Sequence, residues 1–365
     1  MPDSATLHQY TRHSAHPDVN SHLITLKGYD VCLQLKVPDY NIKSDGVELN
    51  LEKRKNQETK HLFKTLRAHL DFHLSAFQRA DNHDGSPIQQ SIASVNTISL
   101  FFPEIRQENI RICMAAWLET LCTVDDQLED MSLEDAGKAI EEAIAVLKDE
   151  PIHTSKHPPI TQTITKFKTH CMTHHNRSLL TGFFSELCTV FTGLLQEIHL
   201  KNGSLPQTLD TYLAIRRKTI GLKPAFALIR SAYNQPYPPS KETTQLQNDI
   251  AIVAGLQNDL IGLEKDIRTG EAVNAVVFLL GGMEMKKSGK WAVGNEGLRA
   301  ATGEVCRLHN LFLERVLKRV ERLEARARVV PGMEMEAALA SLEASLMQTH
   351  FEWCTSAKRY QAKAV

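Results

Sequence analysis

The chain reads as all-α, one large helical bundle, and three observations predict it. From about Thr59 onward apolar residues recur at helical spacing, clusters of turn residues separate the apolar runs, and no sustained β alternation competes. At 365 residues the length exceeds the usual single domain, yet no shift of composition marks a boundary. We expect an N-terminal segment, partly disordered, over 1–58 and one helical domain over 59–365.

Within that frame the elements follow in order. Residues 1–20 are polar and read as disordered, and 21–60 contain a short alternation, Val31–Val37, suited either to an extended segment or to a loop laid across the bundle. Turn clusters at Asp81–Pro87, Pro151–Pro159, Asn202–Pro206 and Pro236–Ser240 divide the helices that follow. Thr219, Gly221 and Pro224 interrupt another apolar pattern, so a helix is expected to break there and free backbone groups. Gly281–Gly297, with three lysines and Trp291, is the longest irregular stretch and suits a lid or a surface insertion. There is no internal repeat and no low-complexity tract.

Charge and cysteine usage narrow the function classes. A net charge of −1 and a pI near 7.0 give no general attraction to nucleic acid or anionic lipid. No run of 18 apolar residues suggests a membrane span and no secretory signal is visible, so the expectation is a cytoplasmic protein. The seven cysteines show no CxxC pair and read as reduced, mostly buried thiols. His170, His174 and His175 invite a metal reading, but no HExxH accompanies them.

The chemistry concentrates in two acidic clusters: Asp125-Asp126-Gln127-Leu128-Glu129-Asp130, and Asn258-Asp259-Leu260-Ile261-Gly262-Leu263-Glu264-Lys265-Asp266. Each finishes an otherwise apolar helix. Positions four apart share a helix face, so the ridges Trp117–Leu121–Asp125–Glu129 and Leu118–Cys122–Asp126 run from core residues into carboxylates. Asn258, Gly262 and Asp266 drift by only about 80° over roughly 12 Å. Either cluster alone suits a solvated helix end. Paired, they suit carboxylates at the mouth of an apolar cavity, where lost hydration and mutual repulsion call for a compensating cation. Hard oxygen donors favour Mg²⁺, which shares its coordination with waters and substrate phosphates.

These motifs resemble those of the class I terpene cyclases, with their DDxxD/E-type motif and downstream (N/D)Dxx(S/T)xxxE motif. Tyr212-Leu-Ala-Ile-Arg216-Arg217-Lys218-Thr219-Ile220-Gly221 is similar to the family's YxxxRRxTxG segment, and Trp353…Arg359-Tyr360 to its C-terminal Arg-Tyr pair. The order also matches, from about Phe101 to Tyr360. The resemblance implies a single class I terpenoid synthase α-helical bundle with a central active-site cavity. It implies a trinuclear Mg²⁺ cluster with bound diphosphate, held by Asp125, Asp126 and Glu129 and by Asn258, Gly262 and Asp266. Arg216, preferred to Arg217 by its spacing to Thr219, is the implied diphosphate sensor, with Lys265, Arg359 and Tyr360 as further contacts. Phe101, Trp117, Phe184, Phe191, Phe226 and Trp353 are the candidate cavity wall, stabilising carbocations through their ring faces.

The implied activity is that of a lyase: ionisation of farnesyl diphosphate and cyclisation to a sesquiterpene. Geranylgeranyl diphosphate is the alternative substrate, and a chain-elongating prenyl diphosphate synthase or a non-catalytic, degenerate helical scaffold the alternative class. The partner is a small isoprenoid diphosphate, and the chain is expected to be a monomer or homodimer. One departure stands out. Gly262 replaces Ser or Thr and Asp266 replaces Glu, so a water must fill one coordination position and a shorter arm must reach another.

Overall fold

The computed structural model of the protein describes residues 17–26, 29, 31–42, 57–77, 86–129, 131–152, 158–235, 237–281 and 295–357. Two strands come first, β1 (Asp18–Leu26) and β2 (Val31–Asp39), followed by helices α1 (Gln57–Ala76), α2 (Pro87–Phe101), α3 (Glu108–Glu129), α4 (Leu133–Lys148), α5 (Pro159–His174) and α6 (Arg177–Lys201). Then come α7 (Leu209–Thr219), α8 (Lys223–Ala232), α9 (Lys241–Thr269), α10 (Ala275–Leu279), α11 (Asn295–Ala327) and α12 (Glu334–Ser356). The chain divides into two compact units. One comprises 43–195 and 221–238 and is called the α3 unit; the other, the α9 unit, comprises 1–42, 196–220 and 239–365.

Local chemistry sets many of the helix ends. Ser86, Ser132, Thr208 and Ser240 cap α2, α4, α7 and α9, each accepting a backbone N–H of the first turn, and Pro87 occupies the first turn of α2, where its missing N–H costs nothing. Gly270 closes α9 in the left-handed conformation, and the Glu271 N–H reaches back to the Asp266 carbonyl at 2.9 Å.

In the α9 unit, β1 and β2 form an antiparallel hairpin with Asp18 opposite Asp39 and Leu26 opposite Val31. This decides the Val31–Val37 question in favour of a strand and corrects the disorder expected up to residue 20, since β1 begins at Asp18. The reason is burial. Val31, Leu33, Leu35 and Val37 alternate into an apolar cluster that also holds Leu256, Leu260, Leu298, Val305 and Phe351. Residues 1–16, by contrast, lie outside the described residues. In the α3 unit, α1, α3 and α5 pack together, with Phe72, Phe167, Phe183 and Phe191 fully buried among them and α6. Most of the anticipated lid, 282–294, is likewise outside the described residues.

Helix α6 is long and apolar enough to cross a membrane by length and composition, and 50% of its apolar window is buried within the protein. The cysteines are free thiols as expected: Cys113, Cys171, Cys306 and Cys354 are buried, Cys122 and Cys188 are half-buried, and Cys32 is exposed.

Candidate active site

The second acidic motif lies on the last turns of α9 and is organised by a buried polar network. Arg216, near the end of α7, donates from Nη2 to Asn258 Oδ1 at 3.0 Å and to Asp259 Oδ1 at 2.7 Å. Tyr212, one turn earlier on α7, donates its hydroxyl to Asp259 Oδ2 at 2.5 Å, and the Ala275 N–H reaches the same oxygen at 3.2 Å. Asp259 is 1% exposed and Arg216 keeps 14% of its side chain accessible. Burial raises the Asp259 carboxyl's pKa, opposed by the Arg216 guanidinium and the Tyr212 hydroxyl. Burial also holds the Tyr212 phenol far above its ordinary range.

The stem of Arg216 crosses α9 at Gly255. A Cβ there would lie 2.9 Å from Arg216 Cγ, so glycine provides the close approach. His350 on α12 is pushed down to about 3, first by burial and then by the Arg216 cation, so it stays a neutral ring hydrogen-bonded to Gln257 at 2.8 Å. Asp266 accepts from Asn274 Nδ2 at 2.8 Å and is pushed up to about 6, chiefly by burial and secondarily by the Asp259 charge, against the relief of that hydrogen bond. Lys265 is half-buried beside it, and Gly262 is buried.

Arg217, adjacent in sequence, does something different. Half-buried, it lines a separate cavity of about 250 Å³ with Asp210, Gln245, Asn248, Asp249 and Arg315. On α7 the residue beside Arg216 is rotated by about 100°, which here brings it to Asp249 of α9.

In the α3 unit, the ridge foreseen on α3 is present: Trp117 and Val124 are buried, Asp125 half-buried, and Asp126 and Glu129 exposed at the helix end. These acids sit where the backbone dipole is already negative, with no basic residue in the last turn. Asp130 lies outside the described residues.

The helix break is also present. α7 ends at Thr219, α8 begins at Lys223, and Gly221 between them takes a φ of 72°. Its freed carbonyl accepts from Trp117 Nε1 at 3.0 Å, so one backbone group expected to face a ligand is satisfied by protein.

The aromatic candidates divide. Trp117 packs against Phe167 and Phe191, Phe184 against Phe183, and Phe101 against Phe102. All are buried, as is Phe226, and they build the core of the α3 unit. Trp353, half-buried in the α9 unit, packs beside His350. Arg359 and Tyr360 lie outside the described residues.

The sequence motifs contain Asp259 and Tyr212 without assigning them a role, and Asn274 and Gly255 lie outside the residues singled out there. Two of these had a signal. Tyr212 stands one helical turn before Arg216, and Asn274 precedes an apolar run as a cap does. Among the described residues no three His, Cys, Asp or Glu side chains converge into a ready cation cage. The Asp, Glu and Asn donors of the two motifs are of the hard-oxygen type that fits Mg²⁺, which takes one or two carboxylates and completes its shell with water and phosphate oxygens.

Part of the chain is similar to known proteins. Residues 116–286, from Trp117's neighbour through both acidic motifs, match the model described as terpene synthase family 2, C-terminal metal binding. That stretch resembles the class I terpene synthases of microbial and fungal type, and the fold is the all-α fold of that class. Among individual relatives, the (+)-eremophilene synthase of Gibberella fujikuroi is 24% identical over 231 residues, 60% of this chain; the match spans 64% of that relative's length. The linalool/nerolidol synthase of Streptomyces clavuligerus, in complex with 2-fluorogeranyl diphosphate, superimposes with a TM-score of 0.61 at 18% identity, covering 81% of this chain and 95% of its own. An a-eudesmol synthase gives 0.59 at 15% identity, covering 82% and 96%.

Proposed function

We propose that this chain is a Mg²⁺-dependent terpene cyclase that ionises farnesyl diphosphate and closes the resulting cation to a sesquiterpene, releasing diphosphate. The observation that carries the reading is Arg216. The break after α7 leaves its guanidinium against Asn258 and Asp259 of the second acidic motif, inside the stretch that matches the family's metal-binding region. A planar fork with several donors suits a diphosphate oxygen cluster better than any neutral side chain.

In this reading Asp125, Asp126 and Glu129 of the first motif and Asn258 and Asp266 of the second would hold the ions, with a water in place of a side chain at Gly262. Bound Mg²⁺ supplies Lewis-acid stabilisation of the charge that develops on the leaving diphosphate. Arg216 and Lys265 donate to the same oxygens, joined by Arg359 and Tyr360 as the family resemblance implies. Apolar ring faces exclude water from the cation and stabilise it until a proton is lost or water is captured. The substrate is a soluble small molecule, and the reading places the enzyme in the cytoplasm.

The test is gas chromatography of volatiles formed from farnesyl and geranylgeranyl diphosphates with Mg²⁺. A cyclic C15 product from farnesyl diphosphate, lost in Asp125→Ala and Asn258→Ala while far-UV circular dichroism is unchanged, is the expected result. A product from geranylgeranyl diphosphate alone would move the substrate to the diterpene class. Full turnover in either variant would remove that motif from the site.

A further inference from the structure

Asn274 has no counterpart in the catalytic roles assigned above, yet it is the most fully committed side chain near them. It is 0% exposed. Its Oδ1 accepts from the N–H groups of Val276 at 2.9 Å and Val277 at 3.5 Å, capping α10, while its Nδ2 donates to the Asp259 carbonyl at 2.6 Å and to Asp266 Oδ2 at 2.8 Å. An asparagine amide offers two N–H donors and two acceptor lone pairs, and all are taken. The amide orientation is thereby fixed, since a flip would set its oxygen against two acceptors.

The two groups it grips belong to one ridge. Asp259 and Asp266 are seven residues, nearly two full turns, apart on α9, and side chains lean toward the helix N-terminus, which brings the Asp266 carboxylate back toward the Asp259 carbonyl. The backbone at Asp266 is held separately by the Glu271 N–H on its carbonyl.

We propose that Asn274 is the positioning residue of the second metal-binding motif. By occupying Asp266 Oδ2 it fixes the rotamer of a carboxylate that is one methylene shorter than the family's glutamate, and it presents Oδ1 as the coordinating oxygen. A glutamate arm reaches a metal by adjusting several torsions, but an aspartate has to be aimed. The inference rests on the metal-dependent reading above. Partners that orient a metal ligand are worth about 10–100-fold in metal affinity.

The test uses the purified full chain. Thermal unfolding is followed while Mg²⁺ is titrated at fixed inorganic pyrophosphate, for wild type, Asn274→Ser, Asp266→Ala and the double variant. Serine keeps a capping oxygen for α10 and removes the donor to Asp266; Asn274→Thr, which fills more of the buried space, serves where the serine variant does not fold. We expect the Mg²⁺ midpoint of Asn274→Ser to rise about 10–100-fold, with far-UV circular dichroism unchanged, and the double variant to match Asp266→Ala. A wild-type midpoint in Asn274→Ser, or losses that add in the double variant, would overturn the positioning role and leave the metal reading standing. A wild type that shows no stabilisation by Mg²⁺ and pyrophosphate would overturn both.

Discussion

Asp259→Ala removes the shared acceptor of three buried donors. The Arg216 guanidinium at 2.7 Å, the Tyr212 hydroxyl at 2.5 Å and the Ala275 N–H at 3.2 Å all end on its two oxygens. Deleting one partner of a buried ion pair costs about 3–5 kcal/mol, because the other charge remains desolvated. Stranding a neutral donor costs about 1–3 kcal/mol. The three losses share one site and do not add. Arg216 also has 14% of its side chain exposed and can recover some hydration, so the expected total is about 4–6 kcal/mol. For a unit of roughly 150–250 residues that lowers Tm by about 10–20 °C. Asp259→Asn, which keeps an acceptor oxygen but not the charge, should cost about half as much. Urea unfolding without Mg²⁺, followed by far-UV circular dichroism, measures both. A loss under about 1 kcal/mol for the alanine variant would show that Arg216 does not depend on Asp259 for its place.

Three further outcomes follow from the same coordinates. Gly221→Ala forces a side chain into a left-handed residue with its Cβ pressed onto Leu121 Cδ2, and should cost about 2–3 kcal/mol and shift the fluorescence of Trp117; an unchanged urea midpoint would refute the strain argument. Arg216→Lys should lose turnover of farnesyl diphosphate on the order of tenfold or more, because an ammonium cannot span Asn258 and diphosphate as a fork does. Arg217→Lys, beside Asp249, should stay near wild type, and the reverse pattern would transfer the sensor role to Arg217. Acid should destabilise the fold through buried histidines. His309 is pushed down to about 4 and His350 to about 3, each mainly by burial. Their folded pKa values lie below the unfolded value of about 6.5, so the stability they contribute is present above pH 6.5 and lost as pH falls. Between pH 6.5 and 5 each should cost about 2 kcal/mol, and a urea midpoint that stays flat from pH 7 to 5 would refute the assignment.

The periodicity of the sequence determined the helices and their breaks, because helical spacing and turn chemistry are local. The ridge from Trp117 to Asp125, the interruption at Thr219–Pro224 and the end of α9 beyond Asp266 needed only the pitch of a helix and the habits of glycine and proline. The hairpin was half legible. Val31–Val37 alternates, but the choice between strand and loop rested on whether an apolar surface was there to receive it, and α11 and α12, some 260 residues later, supply that surface.

Tertiary structure alone decided which polar residues work together. Asn258 and Asp259 are neighbours on a helix, and nothing in their spacing says that Asp259 turns inward to Tyr212 and Arg216. Gly255 makes room for an arginine 39 positions before it, and Asn274 reaches back to a carboxylate at Asp266. These contacts depend on side-chain direction and on burial, which sets the cost of leaving a donor unmatched. Both are properties of packed elements rather than of any stretch of sequence.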